Sequence, residues 1–290
     1  MKKVAPVLVL LAGIFWGMIG LFVRKLNLYG FESMDIVALR AIATSVLLGL
    51  FLLIYDREKL KIRLKDVWCF IGTGVCSIVF FNYCYFKAIT LTSLSVAAIL
   101  LYTAPAIVML LSAVLFKEKI TKIKVGSLVL TFLGCVLVTG VFSHSAVLNI
   151  QGILLGLGSG LGYALYSIFS RYALERGYHS LTISFYTFVF AMIGVIPFAR
   201  YNAIADICGM DLGIVLFCLL FGLVSTVLPY IFYTTGLEGM ENGKASIIAS
   251  IEPVTASLVG VIVYRERMSM FEVIGAILVL VAIAINNIDR

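Results

Sequence analysis

Ten runs of mainly apolar residues, each about 20 residues long, follow one another along this chain. A helix of about 20 residues is long enough to cross the roughly 30 Å hydrocarbon core of a bilayer. Short polar gaps separate the runs, and none of them has room for a soluble domain. We therefore predict an all-α polytopic membrane protein with ten transmembrane helices. The predicted spans are residues 4–23, 33–54, 68–87, 94–116, 123–142, 151–172, 179–199, 212–235, 243–264 and 271–288.

The composition agrees with a membrane protein. Apolar residues make up 62% of the chain and charged residues 13%, against about 45–50% and about 25% in soluble domains. The net charge of +7 comes from Lys and Arg residues in the gaps between apolar runs, where such residues set topology, so we expect no nucleic-acid partner. The six cysteines have no metal-ligand spacing, and we expect them to serve packing.

The distribution of Lys and Arg also predicts the orientation of the chain. Fifteen of these residues fall in the segments on the side of the N-terminus, and six fall in those on the other side. Basic gaps stay in the cytoplasm, so we expect both termini inside and the chain in the inner or plasma cell membrane. The first run ends in Arg24 and Lys25 without a small-residue cleavage site, which favours a retained helix over a signal peptide.

An internal duplication is the second constraint on the fold. The segment 94–121 recurs 148 residues later, which aligns Pro105 with Pro253 and Glu118 with Glu266. Each half carries five predicted helices, an odd number, so the second half must cross the membrane in the opposite sense. Inverted five-helix repeats place a binding site at mid-membrane depth between the halves. The predicted repeats are residues 4–142 and 151–288.

Pro105 and Pro253 lie inside the repeated spans. A proline lacks an N–H group and leaves the carbonyl four residues earlier without its helical partner, here Leu101 and Ala249. In a bilayer such a carbonyl must be satisfied by protein, water or a ligand. Two interpretations stay open: a packing kink satisfied by a neighbouring helix, or a gating hinge beside a substrate cavity.

Two charged residues inside the spans are candidates for a substrate cavity. Glu252 lies roughly 13 Å into its helix, close to the middle of the bilayer, where ionisable groups are functional candidates. It is either a structural protonated carboxyl group or a site for a coupling proton or a substrate amine. Arg40 either extends to the outer headgroups or faces the cavity, where it binds a substrate carboxylate or pairs with Glu252 or Asp35.

Aromatic and amide side chains complete the predicted cavity. Trp16 and Tyr163 occupy equivalent positions of the two halves at an offset of 147 residues. Such rings stack on planar solutes or hold an ammonium group by cation–π attraction, and the alternative is ordinary core packing. The other predicted cavity residues are Asn82, Tyr102 and Tyr230, and Tyr166 and Tyr233 lie in the same spans.

Two other features have ordinary explanations. The run GLGSGLG at 156–162 lies in a helix with no preceding strand, which favours close helix contact over phosphate binding. His144 and His179 lie in gaps and have no metal partners in the sequence. We therefore expect no metal site, no cofactor and no catalytic residue.

Several short motifs occur in a fixed order along the two halves. They are the Trp16-Gly17 pair, Arg40, Ala88, TAP at 103–105, KEKIT at 117–121, IEP at 251–253 and RERMS at 265–269. In this order and duplication, the chain resembles the EamA family of the drug/metabolite transporter superfamily over nearly its whole length. The resemblance implies a ten-helix inverted-repeat fold with a central substrate cavity lined by both halves. It also implies transport of amino acids or other small metabolites, often outward.

The residues and the resemblance together predict a secondary transporter and not an enzyme. We expect an exporter of amino acids or related amphipathic solutes that works by alternating access, as a monomer or weak homodimer, with proton coupling as one option. An uptake permease or exchanger of the same fold is the alternative. A membrane enzyme would need paired carboxylates or a His/Asp set at membrane depth, and a sensor would be expected to carry a long soluble loop or tail.

Overall fold

The computed structural model describes residues 3–140 and 149–288, and within these residues the chain is helical without strands. The predicted all-α class is therefore confirmed. The helices of the first half are α1 Ala5–Gly17, α2 Ile19–Leu28, α3 Ser33–Tyr55, α4 Val67–Ile71, α5 Phe80–Leu91, α6 Leu94–Leu101, α7 Ala104–Phe116 and α8 Lys122–Val138. The helices of the second half are α9 Ile150–Glu175, α10 Ser180–Gly194, α11 Tyr201–Met210, α12 Leu212–Gly222, α13 Leu228–Gly239, α14 Asn242–Ala249, α15 Ile251–Tyr264 and α16 Met270–Ile288.

Eight stretches of helix in the described residues are long and apolar enough to cross a membrane. The other two predicted spans, 123–142 and 179–199, form α8 of 17 residues and α10 of 15 residues. At 1.5 Å rise per residue these helices are roughly 26 and 23 Å long, shorter than the roughly 30 Å hydrocarbon core. The structure therefore has eight candidate membrane helices where the sequence predicts ten.

Local sequence explains why α8 and α10 are short. α8 begins after Thr121, whose hydroxyl accepts a hydrogen bond from the Lys124 N–H, and the chain after it turns at Gly140, where φ is +65°. Glycine adopts this left-handed conformation without steric cost. α10 ends at Gly194, three residues before Pro197, and a proline disfavours helical geometry at the residue before it. Residues 141 and 142, the end of the first predicted repeat, lie outside the described residues.

Both repeated spans are broken helices, as their prolines predict. One break separates α6 from α7, and the other separates α14 from α15. Pro105 and Pro253 each lie in the first turn of the helix that follows the break. The missing proline N–H costs nothing there, because first-turn N–H groups have no partner within the helix.

Two π-helical segments interrupt the third and eighth predicted spans. Residues 72–79 join α4 to α5, and residues 223–227 join α12 to α13. The 148-residue offset of the repeats places 223–227 on 75–79, so the wider turn occurs at the same place in both halves. π-Helical turns are rare and occur frequently at functional sites. Periodicity in the sequence did not predict these segments.

Glycines allow the broken helices to pack closely against α1 and α9. A Cβ atom on Gly13 of α1 would lie 2.8 Å from the Ala249 carbonyl oxygen, and one on Gly160 of α9 would lie 3.3 Å from the Leu101 oxygen. These are the two carbonyls that Pro253 and Pro105 leave free, and Gly13 and Gly160 are themselves equivalent at the 147-residue offset. Each freed carbonyl therefore lies close against the backbone of the other half.

The glycine-rich run at 156–162 also serves close packing, as predicted. A Cβ atom on Gly156 would lie 2.4 Å from a Leu100 methyl carbon of α6, and one on Gly162 would lie 2.9 Å from the Phe81 backbone of α5. Only a residue without a side chain allows α9 to approach both helices this closely.

Candidate functional site

An aromatic cluster lies where the two halves of the chain meet. The indole ring of Trp16 on α1 lies 6.2 Å from the Tyr163 ring of α9, and 5.2 and 5.3 Å from the Tyr230 and Tyr233 rings of α13. Tyr166 of α9 meets Tyr230 edge-on at 4.9 Å. Edge-to-face contacts are a favoured geometry for aromatic rings. The structure thus brings together three predicted cavity residues, Trp16, Tyr163 and Tyr230.

The aromatic cluster borders a small cavity. Two of the tyrosine hydroxyls at its wall are already hydrogen-bonded within the protein. That of Tyr166 lies 2.7 Å from the Thr234 hydroxyl, and that of Tyr233 lies 2.8 Å from the Ser167 hydroxyl. The lining residues are Trp16, Ser77, Ile78, Phe81, Tyr163, Tyr166, Ser167, Tyr230 and Tyr233.

Two polar groups at this cavity remain available. The indole Nε1 of Trp16 and the hydroxyl of Ser77 are buried, and neither has a hydrogen-bond partner among the described residues. A buried polar group without a partner costs about 1–3 kcal/mol. Both groups therefore keep unused hydrogen-bonding capacity at the cavity wall.

A second small cavity lies at the breaks of the two broken helices. Tyr163 lines both cavities, and its hydroxyl donates a hydrogen bond to the Glu252 carboxylate across 3.2 Å. Glu252 lies in the first turn of α15, where the helix dipole favours a negative charge. The break before Pro253 thus positions this carboxylate beside the aromatic cluster. The lining residues are Leu101, Tyr102, Ala104, Pro105, Tyr163, Ser246, Ala249, Ser250 and Glu252.

Arg40 lies inside the bundle and not at the headgroups. Arg40 is part of α3 and is only 8% exposed. Its Nε donates a hydrogen bond to the Thr226 hydroxyl at 3.1 Å. The guanidinium carbon lies 5.9 Å from the centre of the Phe221 ring and beside the Tyr230 hydroxyl. The interpretation that Arg40 extends to the outer headgroups is therefore wrong, because α3 packs this residue against α12 and the π-helical segment 223–227.

The two ion pairs considered for Arg40 are not formed. Asp35 accepts hydrogen bonds from the Arg200 guanidinium, the shortest at 2.6 Å, and hydrogen bonding with Asp35 raises the pKa of Arg200. Glu252 interacts with Arg40 only through space. In the part of the chain that the structure describes, Arg40 has no salt bridge.

The remaining predicted site residues divide into two groups. Tyr102 and Pro105 line the second cavity, as expected of residues near the helix break. Pro253 is buried and lines neither cavity. Asn82 is also buried and lines neither cavity, and its amide nitrogen donates to the Ile78 carbonyl one turn earlier at 2.8 Å.

Two polar residues of the site were not predicted from the sequence. Ser77 and Thr226 both lie on the π-helical segments, where one contributes to the cavity wall and the other binds Arg40. Single hydroxyls inside apolar spans are common and carry little signal. The 148-residue offset, which aligns Ser77 with Ser225, is the one pattern that marks this region.

The histidine that the structure describes, His179, lines neither cavity. His179 lies at the N-terminus of α10, where its ring Nδ1 accepts a hydrogen bond from the Leu181 N–H at 3.1 Å. His144 lies outside the described residues. Across residues 3–140 and 149–288, no group of three or more His, Cys, Asp or Glu side chains has the arrangement of a metal site.

A helical membrane bundle in which two halves enclose a buried aromatic cavity has the architecture of a membrane transporter. The sequence pattern of the EamA-like transporter family matches the chain twice, over residues 3–140 and 150–288. The protein therefore belongs to this family and contains two of its repeats, as its motifs predict.

Relatives from distant organisms agree with this assignment. The uncharacterized transporter YxxF of Bacillus subtilis (strain 168) is 25% identical over 100% of this chain and 91% of its own length. An uncharacterized transporter of Archaeoglobus fulgidus is 28% identical over 93% of this chain and 94% of its own. A crystal structure that is 16% identical superposes with a TM-score of 0.81 over 99% of this chain and 98% of that one, which shows the fold.

Proposed function

We propose that this protein is a secondary transporter that exports amino acids or related small amphipathic solutes by alternating access. The observation that carries the proposal is a buried arginine beside the Tyr230 hydroxyl and a partly buried carboxylate bonded to the Tyr163 hydroxyl, since both tyrosines line the aromatic cavity. A zwitterion with an apolar side chain matches those three elements. Its carboxylate, ammonium group and side chain each have a protein group of suitable chemistry.

Arg40 is the group for the carboxylate. A guanidinium carries five N–H donors in a planar fork that binds a carboxylate through two parallel hydrogen bonds. The Nε donor is used by the Thr226 hydroxyl, and the guanidinium also lies beside the Tyr230 hydroxyl. The two terminal amino groups keep their capacity for a solute, and burial strengthens such a charge-assisted contact.

Glu252 is the group for the ammonium. Its carboxylate receives the Tyr163 hydroxyl and retains further acceptor sites toward the second cavity. The rings of Trp16, Tyr163 and Tyr230 add faces on which an ammonium or a planar side chain is stabilised. The same carboxylate is our candidate for proton coupling, because among the described residues it is the one acidic side chain that lines either cavity.

We propose that the two repeats, 4–142 and 151–288, are inverted and contribute five membrane helices each. In this arrangement α8 and α10 are short spans that complete the ten, and both termini lie in the cytoplasm of a cell-membrane protein that is a monomer or weak homodimer. The breaks at Pro105 and Pro253 act as hinges between the half-helices. Equivalent breaks in oppositely oriented helices let one hinge open each side of the membrane.

The test is a comparison of all small metabolites in cells with and without the protein, repeated with Arg40→Ala. Export predicts that one class of amphipathic solute falls inside the cells and rises in the medium, and that Arg40→Ala abolishes the difference. The opposite change would mean uptake, and a chemically altered compound would mean an enzyme. Uptake of the same labelled solute into proteoliposomes then separates transport from an indirect effect on metabolism.

A further inference from the structure

Two glutamates at equivalent positions of the repeats are presented by the same backbone structure. Glu118 follows α7, and Glu266 follows α15. The residue before each is left-handed, with φ of +56° at both Lys117 and Arg265. The Glu118 N–H bonds to a carbonyl six residues earlier at 3.3 Å, and the Glu266 N–H does the same at 3.2 Å. The same backbone conformation therefore positions both carboxylates, which lie at opposite ends of the bundle.

At its end, the Glu118 carboxylate is docked on the other repeat. It accepts hydrogen bonds from the N–H groups of Asn242 at 2.8 Å and Gly243 at 3.2 Å, in the first turn of α14. The helix dipole favours a carboxylate at this position. The Asn242 side chain is held in turn by the Ser112 hydroxyl at 3.2 Å and by Arg171 at 2.9 Å. α7 and α14 consequently pack together and close this end.

At the opposite end, the Glu266 carboxylate is not docked on a helix. It bonds to Arg24 at 2.8 Å, and both side chains are about half exposed, at 51% and 55%. The Arg24 guanidinium lies 4.1 Å from the centre of the Tyr264 ring. The residues equivalent to Asn242 and Gly243 are Leu94 and Ser95, in the first turn of α6. Among the described contacts, neither of their N–H groups meets a carboxylate, and α6 and α15 share no interface comparable to that of α7 and α14.

Two arginines complete the symmetry of the ends. Arg24 and Arg171 are equivalent at the 147-residue offset. Arg171 binds the Met240 carbonyl and the Asn242 side chain at the closed end, whereas Arg24 binds the glutamate itself at the other end. Equivalent glutamates and arginines are thus arranged in two ways within one molecule, one with the glutamate on a helix and one with it on an arginine.

We propose that Glu118 and Glu266 are alternating latches. Each closes its end of the bundle by docking on the first turn of the other repeat's broken helix, and Arg24 holds Glu266 away from that position in the state described. In the opposite state, Glu266 docks on the Leu94 and Ser95 N–H groups and Glu118 is released toward Arg171. This inference rests on the proposed alternating access.

The experiment measures the opening at the Glu266 end without any solute. Nitroxide labels are attached at Thr90→Cys and Arg267→Cys in full-length protein whose six native cysteines are replaced. The distribution of distances between the two labels is recorded in nanodiscs by double electron–electron resonance. Glu118→Ala should raise the ratio of short to long distances by about ten-fold or more, since a charge-assisted helix contact is lost. Glu118→Gln should give a smaller shift in the same direction.

The decisive comparison uses the two partners of one ion pair. Arg24→Ala frees the Glu266 latch and should raise the ratio of short to long distances about two- to five-fold. Glu266→Ala removes the latch and should lower that ratio. If the Arg24–Glu266 contact were an ordinary surface salt bridge, both variants would change the ratio of short to long distances in the same direction or leave it unchanged. Either result would overturn the proposal. Monodisperse elution and an unchanged thermal midpoint establish that the variants are folded.

The failure of this proposal is distinguishable from failure of the transport proposal. If Arg24→Ala and Glu266→Ala shift the label distances in opposite directions but the protein transports no solute, the latch proposal is supported and the transport proposal is wrong. Solute transport together with unshifted distances in all four variants would remove the latch alone.

Discussion

The hydroxyl of Tyr163 donates a hydrogen bond to the carboxylate of Glu252 across 3.2 Å. This contact joins α9 to the first turn of α15, at the place where a helix break opens a cavity. Tyr163 also borders the larger aromatic cavity with Trp16. A titratable group and the proposed solute site therefore share one side chain, so a proton on Glu252 and a solute at the rings are expected to influence each other.

Glu252→Gln should remove the pH dependence of transport, whereas Tyr163→Phe should keep it. The amide does not titrate, but the phenylalanine variant retains the carboxylate and loses only the 3.2 Å hydrogen bond. Initial rates in proteoliposomes between pH 5.5 and 8.5 (roughly the range in which such groups couple) test this pair. Unchanged pH dependence in Glu252→Gln would exclude Glu252 as the coupling group.

Arg40→Ala should lower kcat/KM for a carboxylate-bearing solute at least about 30-fold, equivalent to about 2 kcal/mol of charge-assisted hydrogen bonding. The amount of protein in the membrane should not change. Thr226→Val is the matched control, because it removes the hydroxyl that positions Arg40 and leaves the charge. The decrease in kcat/KM should be smaller for Thr226→Val than for Arg40→Ala. The decrease for Arg40→Lys should lie between these two, because an ammonium group keeps the charge but lacks the planar fork of N–H donors. Full activity of Arg40→Ala would remove this residue from the site.

The sequence predicted the parts of this fold that depend on local chemistry. Pro105 and Pro253 mark both helix breaks, because a missing N–H group has the same consequence in any context. The equivalence of Trp16 and Tyr163 likewise anticipated that their rings share one environment. The π-helical segments were not predicted, since an apolar run gives the same pattern for α- and π-helical turns.

Side-chain direction was the other property that the sequence did not contain. Asn82 and Arg40 are both polar residues within apolar spans, yet Asn82 bonds to its own helix and Arg40 reaches Thr226 on another. That difference depends on how each helix is rotated against its neighbours. The sequence likewise does not distinguish Asp35 from Glu252 as a partner for Arg40, because Arg200, which binds Asp35, lies 165 residues from it along the chain.

Gly13→Ala and Gly160→Ala should each destabilise the protein by about 1–3 kcal/mol, the usual cost of overpacking. A Cβ atom at Gly13 would lie 2.4 Å from an Ile251 methyl carbon, and one at Gly160 would lie 2.6 Å from the Thr103 hydroxyl. Gly20→Ala is the control, because nothing lies within 4 Å of its Cβ position. It should keep or slightly raise the thermal midpoint. Equal midpoints for all three variants would contradict the close packing of α1 and α9 on the broken helices.

The two carboxylates that share Arg200 should differ strongly in their contribution to stability. Asp35 is 1% exposed and accepts the Arg200 backbone N–H at 2.8 Å as well as its guanidinium, whereas the side chain of Glu32 is 68% exposed and meets Arg200 only at the surface. Asp35→Ala removes the acceptor of several Arg200 hydrogen bonds and of the Glu32 N–H, and should lower the free energy of unfolding clearly. Glu32→Ala loses only an exposed ion pair and should change the free energy of unfolding little. Unfolding free energies in detergent measure both, and equal values would mean that burial does not decide the strength of this contact between the two repeats.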